Sequence, residues 1–314
     1  MKADNRYILI FCPWNNQMTN SVQNEVKHLP KIKIVTDSTA DIPKSISEKL
    51  HIDMVPLKVH FGEQSFMDAV TIDSDEFYSR LKRADKLPTT SQPSPSEFAA
   101  AFKKILQDDP QSEIISIHLS SALSGTYQSA VLAKSLLEDL GERITIIDSK
   151  TACYGIGVLV VAAAEAVNQG AEKAEVLNLI ASMRSETGLF FLVDTLEFLQ
   201  KGGRIGKAAA LFGTLLQIKP ILTIDRDGEV AAVDKVRGQR KAMMHIIQLL
   251  KQQFADVPVK LAIAHAQAEQ TAQELAALMD QHFEVKDVLY SSIGSVIGTH
   301  VGPGTVAIFV NKVQ

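Results

Sequence analysis

The sequence predicts an α/β protein of two α/β domains, and three observations carry that prediction. From Lys31 onward, β-branched runs of roughly five to eight residues alternate with amphipathic stretches of roughly ten or more, the pattern of strand–helix units. The chain has 314 residues, and domains cluster near about 100–200, so one large or two ordinary domains would each bury a full core. The stretch NQGAEKAEV, Asn168 to Val176, favours two, because a helix ends at Gly170 and an acidic helix start follows. The expected domains are residues 31–170 and 171–314. Residues 1–30 stand apart. Their apolar run YILIFCPW is too short and too aromatic for a secretory signal and lacks a small-residue cleavage site. The segment reads as a poorly ordered extension, or as the result of an upstream start with Met18 a later one.

Strands are expected at Ile32–Thr36, Met54–Phe61, Glu113–Leu119 and Ile144–Ile147. Helices are expected at Pro43–Leu50, Ser74–Lys82, Ser94–Leu106, Thr126–Leu140 and Gly155–Asn168. Pro43 and Pro95 sit near first helical turns, where a missing N–H costs nothing. A strand at Leu189–Asp194 follows, then a helical pattern through TLEFLQKGGRIGKAAALFGTLLQ. PILTIDRDGEVAAVDKVR reads as a hairpin, with Asp227-Gly228 as a two-residue turn between β-rich runs. Further strand–helix units run from Val259 to Lys312, and no repeat or low-complexity segment is visible.

Composition narrows the function. The chain is 46% hydrophobic and 22% charged, and no segment approaches the roughly 18 uninterrupted apolar residues of a membrane span. A net charge of −4, without a Lys/Arg block, gives no pull toward nucleic acid. Cys12 and Cys153 are too few for a disulfide framework or a zinc knuckle, which fits a reducing cytoplasm.

In an α/β sheet, ligands sit beyond the carboxyl ends of the strands. Here those ends share a character: TDSTADIP, HLSSALSGTY, IDSKTACYG, and the pre-helix loop LPTTSQPSPSEF. Thr90, Ser91, Ser94, Ser120, Ser121, Ser124 and Thr126 put short hydroxyls near helix starts, where free N–H groups and the helix dipole attract an anion. Any one of them reads as an ordinary N-cap sooner than as a ligand contact. Together, the sets Thr89-Thr90-Ser91 and Ser120-Ser121 with Ser124-Gly125-Thr126 supply more hydroxyls than two caps need.

Catalytic signatures are missing. GGRIGK, Gly202–Lys207, is one residue short of a phosphate loop and is followed by Ala208 instead of a hydroxyl for Mg²⁺. GIGVLVV from Gly155 lacks the third glycine of a dinucleotide fingerprint, and no G-x-S-x-G occurs. The eight histidines show no metal-ligand spacing. Two arginines, Arg204 after Gly202-Gly203 and Arg237 at the hairpin's end, suit forked recognition of a carboxylate or phosphate, although either alone reads as a surface residue. His300 stands in the Gly/Pro loop IGSVIGTHVGPG, where it reads as structural or ligand-facing alike.

These pieces together resemble the DegV family, fatty-acid-binding proteins that include the FakB subunit of bacterial fatty acid kinase. The matching stretches are VTDSTADIP, VPLKVHFGEQSF, TTSQPSPSEF, SSALSGTYQSA, LEFLQKGGRI, KPIL and IGTHVGPGT, from about Lys31 to the C-terminus. The resemblance implies a non-catalytic carrier that holds one long-chain fatty acid in a pocket between two α/β domains. A separate ATP-binding kinase subunit would phosphorylate the carboxylate to an acyl phosphate for phospholipid synthesis. It implies a head-group site among Thr90, Ser91, Ser120, Ser121, Ser124 and His300, with Ser121 the foremost serine, and kinase-docking or phosphate-contacting roles for Arg204 and Arg237. It implies no metal and no cofactor beyond the bound acid, no nucleic-acid partner, no stable membrane insertion and a cytoplasmic location. The sequence departs from the family where Thr305 to Ile308 follow GPG and where Ala69 stands in a position usually held by glycine. Both departures bear on chain length more than on the head group.

Two other classes compete. One is an enzyme acting on a phosphorylated metabolite at the same hydroxyl loops, with His300 or His118 as its base. The other is a regulatory module with lipid as effector.

Overall fold

The computed structural model describes residues 31–211 and 218–313. The expectation for residues 1–30, Cys12 within it, and the last part of the helical pattern ending at Gln217 lie outside the described residues.

The first lobe is a parallel sheet built as the strand–helix pattern predicts. Strands β1 (Ile32–Asp37), β2 (Asp53–Val55), β6 (Glu113–His118) and β7 (Ile144–Asp148) lie in the order β2-β1-β6-β7. Registers such as Val35 with Asp53 and Thr36 with Ile117 bring the carboxyl ends of all four to one edge. Ile114, Ile115 and Ile117 are wholly buried, as strands covered on both faces require. Helix α3 (Pro95–Asp108) lays Phe98 and Phe102 on one face of this sheet. Helix α5 (Tyr154–Asn168) lays Ile156, Leu159, Val160 and Ala163 on the other. The break expected at Asn168–Val176 falls between α5 and α6 (Lys173–Glu186), and α6 still packs Val176 and Ile180 into the first sheet's core.

The run Met54–Phe61, expected as one strand, is divided. Pro56 has no N–H to donate, and the Leu57 N–H leaves the ladder for Ser38 Oγ at 3.1 Å. The chain then crosses to a small antiparallel sheet, ordered β4-β3-β5, of β3 (Lys58–Phe61), β4 (Gln64–Met67) and β5 (Thr89–Ser91). The pairing of Val59 with Thr90 turns the expected TTS loop into an edge strand and fixes Thr90 in place. The helix expected to reach Leu140 stops as α4 (Thr126–Leu136), and a 3₁₀ segment, Glu138–Arg143, continues it.

The second lobe carries a six-stranded sheet in the order β10-β9-β8-β13-β11-β12. Its strands are β8 (Gly188–Leu192), β9 (Ile218–Ile224), β10 (Val230–Arg237), β11 (Val259–His265), β12 (Val285–Ser292) and β13 (Val306–Lys312). Only β11 and β12 pair in parallel; β13 returns antiparallel between β8 and β11. Side chains alternate along a strand, so each strand serves two layers. Leu192, Ile308 and Val310 face outward under helices α8 (Gln239–Phe254) and α9 (Glu269–Asp280). Phe191, Ala307 and Phe309 face inward, toward the first lobe.

The helical pattern after Leu196 also breaks. Helix α7 (Glu197–Lys201) ends at Gly202, and Gly203, at φ +69°, turns the chain before a 3₁₀ segment at Gly206–Leu211. The hairpin turn is wider than expected. Asp225 and Glu229 close the loop by Asp225 N–H to Glu229 C=O at 2.9 Å, leaving Arg226, Asp227 and Gly228 between them. Gly228 at φ +86° is the left-handed residue that such a three-residue connection demands.

Ala69 sits at φ +59°, a left-handed conformation that a Cβ disfavours, which explains why glycine suits this position. Ala69→Gly is expected to stabilise the protein by about 0.5–1 kcal/mol, the relief of left-handed strain less the extra backbone entropy of glycine. Thermal or urea denaturation checks it; an unchanged or lower midpoint would mean the αL geometry costs nothing here.

Candidate functional site

The inward faces of the two lobes do not close on each other. Between them lies a cavity walled by Leu57, Leu119, Phe191, Ile224, Val296 and Phe309, with polar groups gathered at Thr90, Gln92, Ser124, Arg204 and His300. Its empty volume, the open mouth included, is about 860 Å³. One side is hydrocarbon and the other is hydrogen-bonding, the layout of a site for a molecule with a long apolar part and one polar end.

Each polar residue is set by a different element. Thr90 comes from the edge strand β5, and His300 from the short helix α10 (Ser295–Val301) in the other lobe. Thr90 Oγ1 and His300 Nε2 meet at 2.9 Å, so the two residues furthest apart in sequence form the polar floor together. Burial first, and the Arg204 guanidinium second, lower the His300 pKa to about 4, so the ring is neutral at pH 7. Its buried Nδ1 has no hydrogen-bond partner among the described residues and rests against Gly202. A Cβ at Gly202 would lie 2.3 Å from that nitrogen. The first glycine of KGGRI is therefore needed for close approach of the imidazole and not for its backbone angle, which is an ordinary −75°.

Arg204 reaches from the second lobe to the serine-rich loop of the first. Its Nε donates to the Leu123 carbonyl at 3.1 Å and its Nη1 to the Gly202 carbonyl at 2.7 Å. Ser124 lines the cavity, with its Oγ 2.9 Å from Thr126 Oγ1. A second, wider basin shares Thr90, Arg204 and His300 with the cavity and opens outward past Lys86, Pro88 and Lys201. The polar floor is thus reachable from solvent while the apolar chamber lies behind it.

Other expected residues stand elsewhere. Ser121, expected foremost at the head group, is exposed and away from the cavity wall; its Oγ donates to Asp148 Oδ2 at 2.5 Å and its N–H to Oδ1 at 3.2 Å. Ser120 is wholly buried and donates to the Gly228 carbonyl at 2.9 Å, joining the hairpin tip to the first lobe. Ser91 Oγ pairs with His60 Nε2 at 2.9 Å. Ser94 forms a capping box with Glu97, the ordinary helix-start role. Arg237 ends β10 on the surface and lines neither space.

His118 is removed as a base for the metabolite reading. It has no exposed surface, Nδ1 lies 3.0 Å from Asp37 Oδ2, Nε2 lies 2.7 Å from Ser116 Oγ, and its ring stacks edge-on against Phe98. It ties β6 to the end of β1.

Sequence reasoning missed Gln92, Cys153 and the apolar face of α10, Val296, Ile297 and Val301. Gln92 lay within the quoted TSQPS, and its flanking hydroxyls drew attention from it. Among the described residues no group of three or more His, Cys, Asp or Glu side chains is placed to hold a metal ion. Among the same residues no helix is long and apolar enough to cross a membrane.

Comparison with known proteins fits this geometry. A family model described as an uncharacterised protein of the DegV family matches residues 31–313. A DegV domain-containing protein of Clostridium perfringens is 39% identical over 280 residues, covering 88% of this chain and 97% of its own. A DegV family protein from Thermus thermophilus, described by its fatty acid binding, superposes with a TM-score of 0.84 at 33% identity, over 90% of this chain and 100% of its own. DegV of Bacillus subtilis, described as a fatty acid binding protein, gives 0.80 at 34% identity, over 90% and 99%. With a family model matched over residues 31–313 and relatives at this level of identity, this chain belongs to the DegV family.

Proposed function

We propose that the protein binds one long-chain fatty acid, tail in the inter-lobe cavity and carboxyl group at Thr90 and His300. The observation that carries this reading is the apolar chamber ending in a hydrogen-bonding floor that draws on both lobes. Each methylene taken from water contributes about 0.8 kcal/mol, so about ten buried methylenes contribute roughly 8 kcal/mol before association costs. The tail therefore sets affinity. A carboxylate left without partners in such a place would cost several kcal/mol or take up a proton, so the hydroxyl and imidazole donors set orientation. Ser124 and Gln92 complete the floor in this reading, in place of Ser121. The fatty-acid-binding descriptions of the Thermus and Bacillus relatives support it.

We further propose that the acid is presented to a separate fatty acid kinase in the cytoplasm, which converts it to an acyl phosphate. The basin past Lys86 and Lys201 supports this, because it leads from solvent to the proposed carboxyl position. Cations along that route suit an incoming phosphoryl group. Arg204 would face that partner; Arg237, outside the basin, would touch it only at a distant contact. An enzyme acting on a phosphorylated metabolite would need a water-filled polar pocket, and the chamber is hydrocarbon.

Denaturing mass spectrometry of the purified protein is expected to release a long-chain fatty acid near one per chain. An empty protein that also fails to take up added acid would contradict the reading. Thr90→Val and His300→Ala are each expected to weaken fatty acid binding about tenfold or more, the worth of a hydrogen bond to a charged group. Ser121→Ala is expected to leave binding unchanged, since its hydroxyl serves Asp148. Competition with a fluorescent fatty acid checks all three; a Ser121→Ala loss matching that of Thr90→Val would refute the assignment.

A further inference from the structure

The start of α10 is gripped by the opposite lobe. Gly294 precedes the helix and supplies no side-chain cap, so the first N–H groups of α10 have no partner within their own segment. Two carboxyl groups from the first lobe take that place. Asp41 Oδ1 accepts from Gly294 N–H at 3.0 Å. Asp68 Oδ1 accepts from Ser295 N–H at 3.0 Å and from Ser295 Oγ at 2.6 Å. Tyr78 adds a third hold one residue earlier, its hydroxyl donating to the Ile293 carbonyl at 3.1 Å. The Asp41 backbone carbonyl accepts from Ser291 Oγ at 2.5 Å.

These groups lie far from one another in sequence and arrive from separate elements. Asp41 follows the 3₁₀ turn Ser38–Ala40, Asp68 follows β4, and Tyr78 lies in α2 (Ser74–Arg83). The remaining oxygens, Asp41 Oδ2 and Asp68 Oδ2, are buried. Burial raises both pKa values; the neighbouring Asp68 raises that of Asp41 further while the Cys153 thiol offsets part of the rise, and hydrogen bonds from Ser295 and Ser38 offset part of it at Asp68. Two buried carboxyl groups are costly as mere filler; their hydrogen bonds to the start of α10 give them a task.

Helix α10 has seven residues, about two turns, too few to be rigid by themselves. It begins after Gly294 and ends at Gly302, which has φ +75°. Nothing in its own backbone fixes its tilt. Yet it presents Val296, Ile297 and Val301 to the cavity and carries His300 to Thr90. Ser295 and His300 are separated by about 7.5 Å along the axis at 1.5 Å per residue, so a small tilt at one end displaces the other.

We propose that Asp41 and Asp68 are positioning residues of the head-group floor: by holding Gly294 and Ser295 they set α10 so that His300 meets Thr90. This rests on the reading of Thr90 and His300 as the carboxyl site. The two acids touch no part of the ligand. They act through the helix.

The test uses the full chain with Asp68→Ala, Asp68→Asn, Asp41→Ala and Ser295→Ala, and two probes, palmitate and methyl palmitate. Asp68→Ala and Asp41→Ala are expected to weaken palmitate at least tenfold while changing methyl palmitate, which shares the tail and lacks the acid, less than threefold. Asp68→Asn keeps an accepting oxygen and is expected to restore palmitate to within about threefold of wild type. In the unliganded protein, NMR titration of His300 is expected to move from about 4 toward the ordinary 6.5 in both alanine variants, as the ring loses its burial. Should the alanine variants not fold, Ser295→Ala, which removes one of the two bonds to Asp68, is expected to move both readouts in the same direction by less.

Equal loss of palmitate and methyl palmitate with an unmoved His300 midpoint would assign the acids to the fold alone and overturn the proposal. So would unchanged values in the most drastic variant that folds. Wild-type protein that binds neither probe would instead sink the fatty-acid reading, and the His300 titration would still judge the clamp.

Discussion

The structure depends on an incomplete closure: two sheets turn hydrocarbon faces toward one another and leave a space between them. Native interiors are packed nearly as densely as organic crystals, and unfilled apolar volume is costly. Side chains that line an unfilled apolar space forgo dispersion contacts on that side, contacts an apolar occupant would restore. That cost is tolerated where an occupant removes it. Every feature of the site follows from placing such an occupant with one polar end. The polar floor is confined to one region, it sets the neutral groups Thr90 and His300 beside the Arg204 guanidinium, and it faces a basin open to solvent.

Contacts between the lobes converge on the same place. Ser120 bonds the hairpin tip, Arg204 bonds the serine-rich loop, Asp41 and Asp68 bond the start of α10, and Thr90 bonds its end. Of these links, those at Arg204 and at Thr90 lie on the wall of the chamber itself. The lobes are thereby joined both at Thr90, Arg204 and His300 and at the acids that hold the start of α10.

Much of the fold was legible because it rests on periodicity. The strands β1, β6 and β7 and the helices α3 and α5 were readable from alternation of period two and the 3.6-residue repeat. What failed was decided by single residues or by distant partners. Pro56 split one apparent strand into members of two sheets, and Gly203 stopped an apparent long helix. The edge strand Thr89–Ser91 exists only because Val59 pairs with Thr90, a contact no local pattern contains. The site behaved alike. Thr90, Ser124, Arg204 and His300 were legible by residue type and motif, and they converge. Ser121 has the same local signature as Ser124, yet Asp148 claims it, and only the third dimension separates the two. Gln92 and the apolar face of α10 carry no chemical signal in sequence, since an amide and a few valines mark nothing until a cavity forms around them.

The most direct test of the account is a crystal structure of the protein grown with a saturated long-chain fatty acid. The account predicts density for one extended chain between the lobes, its carboxyl oxygens within hydrogen-bond reach of Thr90 and His300 and its methyl end among Phe191, Ala307 and Phe309. Density with the carboxyl group at the phenylalanine end, or a closed chamber with the lipid bound on the outer surface, would contradict it.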